Sequence, residues 1–400
     1  MQASAVPLAR PRQGQFRFRL DLLGVVIAAL GFAGLFLPFA AFRANRIVPG
    51  EGAQLFIALG PVWGVVLLSA SLLVLAVALL RTPARLRLAA SLSALLLLLV
   101  LIGEAGRHLT PEGDALARVS PGSGFWVLLA AFALLAADAL SRLALSPLMR
   151  IGLVLGLAAV LAAILLSGAW DALSVLREYE NRASAFWREA ETHVLLAFGS
   201  LAAATLVGVP LGMLCHKVRP LRAATLNVLN MVQTIPSIAL FGLLIAPLAW
   251  VAANVPGASA LGVSGIGTAP ALVALFAYSL LPVVANTVVG LGAVPRAAND
   301  AARGMGMTNW QRLAGVQMPL AFPVILTGIR IVLVQNIGLA TIAALIGGGG
   351  FGVFVFQGIG QTAMDLVLLG AVPTVILAMG AGIVLDALVE LASPQKRGRS

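Results

Sequence analysis

The stretch that decides the class of this chain covers residues 300–319 and reads DAARGMGMTNWQRLAGVQMP. It is a long polar interruption in the apolar second half of the sequence. Asp300 is a residue type that opens helices, because its carboxylate accepts free backbone N–H groups and complements the helix dipole. Gly306 permits a turn that a Cβ would resist. Pro319 is expected to end one helix and redirect the chain into the next apolar run.

Composition places the chain among membrane proteins. Of its 400 residues, 60% are hydrophobic and only 10% are charged, which is more apolar surface than a soluble fold can bury. The net charge of +11 comes from basic residues in short loops between apolar runs, which indicates membrane topology rather than nucleic-acid binding. The single cysteine, Cys215, excludes an internal disulfide, and the three histidines share no metal-ligand spacing. No Gly-x4-Gly-Lys-Ser/Thr phosphate loop is present, so the chain itself is expected to bind neither ATP nor another cofactor.

Ten apolar runs are long enough to cross a bilayer, which takes about 20 residues in a helix. The first is longer than the core of a signal peptide and is interpreted as a span. The sequence therefore predicts an all-α integral membrane protein with about ten transmembrane helices, five in each half. The runs lie near residues 22–41, 60–80, 86–104, 124–141, 151–169, 193–215, 223–250, 268–291, 321–346 and 365–390.

The distribution of basic residues orients these spans. With the N terminus inside, eighteen of the 26 Lys and Arg residues fall on the cytoplasmic side and seven on the outer side, while Arg330 falls within a span. The positive-inside rule requires this bias. The sequence thus predicts a multi-pass protein of the inner (plasma) membrane, with both termini and residues 300–319 in the cytoplasm.

The two halves of the chain differ in character. Spans two to five are rich in Leu, Ala and Val and lack interior prolines, as expected for a scaffold. The second half carries prolines and polar side chains, which in a bilayer face a cavity or a neighbouring helix. The predicted parts are a basic cytoplasmic terminus (1–20), a five-span domain (21–170), an outer-surface amphipathic linker (171–192), a core (193–391) with its cytoplasmic loop at 292–319, and a basic cytoplasmic tail (392–400).

Residues 300–319 resemble the EAA loop of ABC-importer permeases. The pattern of that loop is Glu-Ala-Ala, three residues, Gly, nine residues, Ile, one residue, Leu-Pro, and every spacing agrees here, with Asp for Glu, Val for Ile and Met for Leu. In that family the loop is a cytoplasmic helix-turn-helix that sits in a groove of the ATPase subunit. An ordinary polar loop between two spans is the alternative. The resemblance implies ATPase coupling for Asp300, Ala301, Ala302, Gly306, Val316, Met318 and Pro319.

The second half also resembles the permeases of osmoprotectant importers, which carry glycine betaine, carnitine or choline. The matching pieces include QTIPS (233–237), AYSLLP (277–282), GMGMT (304–308) and IGGGGFG (346–352). No comparable resemblance is found for residues 1–190. The resemblance implies a five-span type I importer core that pairs with a second copy or a homologous permease. It also implies ATPase subunits, which bind the ATP and Mg, and a substrate-binding protein outside.

Two sets of polar residues are candidates for the translocation pathway. Pro236 frees backbone carbonyls, and Gln233, Thr234 and Ser237 beside it can line a polar path. A proline kink satisfied by its own neighbours is the alternative. Asn286 and Asn336, in two other spans, are assigned to the same path.

Arg330 and a glycine-rich run have two interpretations each. A lone arginine within a span is either a structural tie, paired with an acid or with carbonyls, or a transient contact for a substrate carboxylate. The run at 347–352 contains Gly-x-Gly-x-x-Gly, but no strand precedes it, so nucleotide binding is not expected. Gly347, Gly350 and Gly352 are instead assigned to a hinge or a close-packed outer loop near the translocation mouth.

The function expected is a non-enzymatic permease for a small osmoprotectant, surrounded by lipid and with no nucleic-acid partner. A permease for amino acids or another small organic solute is the first alternative. A five-plus-five inverted-repeat secondary transporter is the second, and it requires interrupted spans in both halves, which the first half does not show. A membrane enzyme is the third, and no nucleophile–base pair or pair of intramembrane carboxylates supports it.

Overall fold

The computed structural model describes residues 20–45, 48–111, 113–114 and 116–393. The basic residues expected at the two ends, from Arg10 to Arg19 and from Lys396 to Arg399, lie outside this part. The chain divides into two compact units, Met1–Ala144 and Leu145–Ser400. Within the described residues, nine helices are long and apolar enough to span a membrane, and one shorter apolar helix precedes them. The prediction of about ten helices is thereby confirmed.

The first unit consists of four helices and a small sheet. The sheet has the antiparallel order β2-β1-β3, which the sequence did not predict. The elements are α1 (Leu22–Phe36), β1 (Ala40–Arg43), β2 (Glu51–Ala53), α2 (Leu55–Leu79), α3 (Ala84–Leu109), β3 (Arg118–Pro121) and α4 (Ser123–Leu143).

Two predicted features of the first unit are wrong, and both errors involve proline. The run at 22–41 is not one helix, because Leu37 precedes Pro38 and takes the extended backbone that such residues favour. α2 begins five residues before the predicted residue 60 and contains Pro61, so spans two to five do include an interior proline. Gly60 beside it has φ 69° and ψ 175°, which interrupts the helix.

A buried ion-pair network joins α1, α3 and α4. Arg87 is fully buried, with its guanidinium 3.1 Å from Asp21 and 2.8 Å from Asp138. Arg142 binds the same carboxylates at 2.8 and 2.9 Å, so two cations face two anions. Burial raises the pKa of Asp21, but hydrogen bonds from Gly24 N–H and Arg142, and the charge of Arg87, outweigh it and hold that pKa below its usual value.

Among the described residues, helices make up most of the second unit. π-helical turns at Leu195–Gly199 and Leu313–Gln317 join α6 to α7 and α13 to α14, and a 3-10 turn at Ile342–Ile346 follows α14. The helices are α5 (Pro147–Leu166), α6 (Ser174–Val194), α7 (Ser200–Lys217), α8 (Arg219–Thr234), α9 (Ser237–Leu243), α10 (Ile245–Asn254), α11 (Thr268–Gly292), α12 (Arg296–Gly304), α13 (Asn309–Arg312), α14 (Met318–Ala340), α15 (Gly352–Gly360) and α16 (Met364–Ala392).

α11 is the central helix of this unit, because it packs against both α7 and α14. Gly212 allows the close approach of α7, since a Cβ there would lie 2.6 Å from the Cβ of Thr287. The predicted single span at 223–250 is wrong. α8 ends at Thr234 and α9 begins at Ser237, because Pro236 cannot supply the backbone N–H that would continue the helix.

Candidate functional site

Residues 296–312 form an elbow of two short helices, α12 and α13. Gly306 lies between them with φ 79°, and no atom beyond its chain neighbours lies within 4 Å of the position that a Cβ would take. The need for glycine there is therefore conformational rather than steric. Thr308 starts α13 with a capping box, in which its hydroxyl accepts from Gln311 N–H and the Gln311 side chain accepts from Thr308 N–H at 2.8 Å.

The elbow presents apolar side chains to its surroundings. Ala302 faces inward and is buried, whereas Met305 is 75% exposed and Trp310 is 71% exposed on either side of the Gly306 turn. Both side chains are therefore accessible on the surface of the elbow. Sequence reasoning missed Met305 and Trp310, although two large apolar residues within a polar stretch were a readable signal.

The structure corrects the local roles expected of two elbow residues. Asp300 does not open a helix: α12 begins at Arg296, directly after Pro295, and Asp300 is its fifth residue, with an exposed side chain. Pro319 does not end a helix, because a continuous helix extends from Asn309 to Ala340. The π-helical turn just before Pro319 accommodates the missing N–H.

The remaining predicted coupling residues surround the elbow. Ala301 is exposed on α12, whereas Val316 and Met318 are half-buried where the π-helical turn passes into α14. Gln317 Nε2 donates to Asn299 Oδ1 at 3.1 Å, which links the π-helical turn to α12. Contact of these residues with an ATPase stays a prediction.

A cavity of about 320 Å³ opens at the break between α8 and α9. It brings together the four predicted residues of the break, Gln233, Thr234, Pro236 and Ser237. Two helices complete it with side chains that the sequence prediction did not assign to the pathway. The added lining residues are Tyr278 of α11, Gln335 and Leu339 of α14, and Ile235 of the break itself.

Hydrogen bonds fix the geometry of this cavity. Gln233 Nε2 donates to the backbone carbonyl of Tyr278 at 2.8 Å, and Tyr278 Oη donates to the carbonyl of Ile235 at 2.5 Å. The Thr234 hydroxyl donates to the carbonyl of Met231 at 2.7 Å. Part of the backbone freed by Pro236 is therefore bonded to α11, as the alternative of a locally satisfied proline kink requires. The same side chains also line an open space, as the pathway interpretation requires.

The two asparagines assigned to the pathway do not line the cavity. Asn336 is fully buried, and its amide donates to Ser200 and Ser279, both at 2.9 Å, which joins α14 to α7 and α11. Asn286 donates to the carbonyl of Pro282 in its own helix at 2.8 Å. A polar residue in a span either lines a cavity or bonds to a helix, and the sequence alone could not show which of the two applies to these asparagines.

Arg330 is paired with an acid. Its Nη1 lies 2.5 Å from Asp386 Oδ1, and Arg150 binds the other oxygen of Asp386 at 2.7 Å and also binds Glu390. These contacts join α14, α16 and α5. They favour a structural tie for Arg330, and a substrate contact stays a prediction.

The glycine-rich run is packed against α6. Gly350 N–H donates to Glu189 Oε2 at 2.8 Å, and Phe351 N–H donates to His193 Nδ1 at 3.3 Å, with both acceptor residues buried. Gly352 abuts Thr341, whose carbonyl oxygen would lie 1.8 Å from a Cβ at that position, whereas Gly347 is exposed. The run is a close-packed loop here, and a hinge role stays a prediction.

Comparison with known proteins gives two family matches. The family described as ABC transporter permease YehY, N-terminal domain, matches residues 21–176. The family described as binding-protein-dependent transport system inner membrane component matches residues 208–398. The first match corrects the expectation that residues 1–190 resemble no known permease.

Individual relatives match about half of this chain and most of their own length. The osmoprotectant import permease protein OsmW of Salmonella typhimurium is 43% identical over 197 residues, which are 49% of this chain and 85% of that protein. The glycine betaine/carnitine/choline transport system permease protein OpuCB of Bacillus subtilis is 34% identical over 203 residues, 51% of this chain and 86% of that protein. An inward-facing structure of the methionine ABC transporter MetNI matches with a TM-score of 0.47 and 22% identity, over 54% of this chain and 99% of that one.

The membrane-length helices and these matches define the class as a multi-pass inner-membrane transport permease. This chain belongs to the ABC-importer permease family, of type I, and lies close to the osmoprotectant permeases.

Proposed function

We propose that this chain is the permease of an ABC importer that takes up a small osmoprotectant such as glycine betaine, choline or carnitine. The observation that best supports this proposal is the sequence similarity to the osmoprotectant permeases OsmW and OpuCB over at least 85% of their length. An importer of amino acids or other small organic solutes is the alternative. An inverted-repeat secondary transporter gains an interrupted helix at Gly60 and Pro61, but family membership argues against it.

The partners proposed are two ATPase subunits, a substrate-binding protein outside, and a second permease that is identical or homologous. The exposed Met305 and Trp310 suit the groove of an ATPase, because they offer apolar area beside a turn that brings two helices to a point. ATP and Mg would be bound by that ATPase, and this chain would perform no catalysis. The basic loops support a topology with both termini in the cytoplasm.

The helix that starts with α13 connects the elbow directly to the cavity. Asn309 to Ala340 is one continuous helix, in which Gln335 lies 26 residues after Asn309. At a rise of 1.5 Å per residue, that is about 39 Å from the elbow to the cavity. A displacement of α12 and α13 would therefore be transmitted along this helix to Gln335, which lines the cavity. Movement of the helix would switch the permease between its inward-facing and outward-facing states.

The test is co-purification of the chain with the neighbouring ATPase and binding protein, followed by calorimetry of the binding protein. We expect a stable complex and a binding protein that takes up glycine betaine, choline or carnitine. A binding protein that binds amino acids and none of these three solutes would favour the alternative. Failure of the ATPase to co-purify with a folded permease would contradict the proposal.

A further inference from the structure

Three side chains that line the cavity at the α8–α9 break present hydrogen-bond acceptors to it. The hydroxyl protons of Thr234 and Tyr278 are both committed to backbone carbonyls, as is one amide proton of Gln233. Each of these side chains keeps an oxygen with free lone pairs. Three oxygen acceptors and the ring of Tyr278 are thus available to a solute in the cavity.

The backbone places partial charges of both signs at the cavity. α8 is a helix of 16 residues that ends at Thr234 and brings the negative end of its dipole there, whereas α9 begins at Ser237 and brings its positive end. None of the eight lining residues is an Asp, Glu, Lys, Arg or His. The site therefore offers a solute partial charges and no ionised group, which keeps binding weak enough for release.

A quaternary ammonium group matches this chemistry. It carries no N–H donor, so it is held by oxygen lone pairs and by an aromatic face rather than by directed hydrogen bonds. The amide of Gln335 and the hydroxyl of Ser237, which also line the cavity, supply donors for the polar end of the same solute.

We infer that this cavity is a charge-selective step within the permease, where the oxygens of Thr234 and Tyr278 and the Tyr278 ring hold the ammonium head of a monovalent cation or zwitterion. The inference rests on the proposed function and goes further, because it places part of the selectivity in this chain rather than in the binding protein alone. Tyr278 and Thr234 are specificity-determining residues in this account.

The test compares two probes of nearly the same shape, choline and its uncharged carbon analogue 3,3-dimethylbutan-1-ol. Binding of each probe to the full importer complex in nanodiscs is titrated by saturation-transfer NMR, without binding protein, and empty nanodiscs supply the background. The variants are Thr234→Val and Tyr278→Phe. Thr327→Val is the matched control, because its hydroxyl also bonds a carbonyl one turn earlier, at 2.9 Å, but does not line the cavity.

We expect the wild type and Thr327→Val to prefer choline. Each cavity variant should weaken choline binding about threefold to tenfold, the effect of losing one acceptor, and leave the alcohol unchanged. Equal binding of the two probes by the wild type, or unchanged choline binding by Thr234→Val, would overturn the inference. Should Tyr278→Phe fail to assemble, the near-isosteric Thr234→Val decides.

Uptake assays on the same preparations separate this inference from the proposed function. A wild-type complex that prefers choline in the binding assay but imports no osmoprotectant would contradict the proposed function and leave the site standing. A complex that imports an osmoprotectant without any choline preference at the cavity would contradict the inference alone.

Discussion

Gly306 is the residue on which the shape of the elbow depends. Its φ of 79° lies in the left-handed region, where any other residue costs about 1 kcal/mol or more. We expect Gly306→Ala to lower ATP-driven uptake at least severalfold, because the turn would relax and α13 would change direction. The measurement is solute uptake by proteoliposomes that contain the ATPase and the binding protein.

Gly304 provides the control for that experiment. It lies two residues earlier at the end of α12, has no positive φ, and also has open space around the position of a Cβ. Gly304→Ala should therefore transport normally. Equal uptake by the two variants, both at the wild-type rate, would show that the left-handed turn is dispensable.

Arg87 is the fully buried cation of the ion-pair network in the first unit. Arg87→Leu would leave Asp21 and Asp138 buried with Arg142 as their remaining cation, and breaking a buried ion pair costs about 3–5 kcal/mol. We expect a clear fall in the midpoint of thermal unfolding of the purified protein. The neighbouring Arg85→Leu, which changes an exposed arginine, should leave the midpoint within about a degree.

Such a network is hard to read from the sequence. Arg87 contributes to the positive-inside pattern whether it faces water or a carboxylate, so charge counting predicts the side of the membrane and nothing about its partners. Its pairing with Asp138 joins residues that are 51 positions apart. An unchanged midpoint of thermal unfolding in Arg87→Leu would show that the network does not stabilise the first unit.

At the scale of elements, α6 holds the glycine-rich loop in place. Glu189 accepts from Gly350 N–H, whereas Glu191 on the same helix is exposed. We expect Glu189→Ala to speed hydrogen exchange at residues 347–352 by about tenfold to a hundredfold, since the loop would lose a charge-assisted hydrogen bond of about 1.5–3 kcal/mol. Mass spectrometry after deuterium labelling measures this rate.

Glu191→Ala is the matched control for the loop, because it removes the same charge from α6 without a bond to Gly350. Its exchange rates over residues 347–352 should equal those of the wild type. Equal protection of the loop in both variants would mean that packing alone holds it.

The long helices of the second unit follow from hydrophobic runs, except where Pro236 divides one run into α8 and α9. The sequence predicted polar groups around Pro236, and the structure gathers them in one cavity. It did not predict that α8 and α9 would separate there, because a proline in an apolar run is compatible with a kink or with a break. Tyr278 and Gln335 reach the cavity from distant helices, which no local pattern encodes.

At the scale of the whole molecule, the boundary between the units gives a truncation test. The unit Leu145–Ser400 contains the elbow, the cavity and the ion pairs of Arg150 and Arg330. We expect a protein that lacks residues 1–144 to insert in the membrane and to co-purify with the ATPase. Loss of the ATPase from a folded truncated protein would show that the first unit takes part in docking.

The sequence predicted that the first domain ends at residue 170, and that boundary stays a prediction. α5 was assigned to the scaffold by its Leu- and Ala-rich composition, but Arg150 at its start binds Asp386 and Glu390 of α16. Composition describes the solvent of a helix and not its partners, so it could predict the number of spans but not the ion pairs of α5. A second protein that lacks residues 1–170 therefore tests whether α5 is needed for stability.

We expect an ATPase to drive this permease through the elbow at 296–312. The most direct measurement is accumulation of labelled glycine betaine, choline and carnitine in proteoliposomes that contain the permease and the binding protein, with and without the ATPase. Ion gradients are applied in a parallel series. The account predicts accumulation only when the ATPase and ATP are both present. Accumulation at full rate without the ATPase, driven by an ion gradient alone, would contradict it.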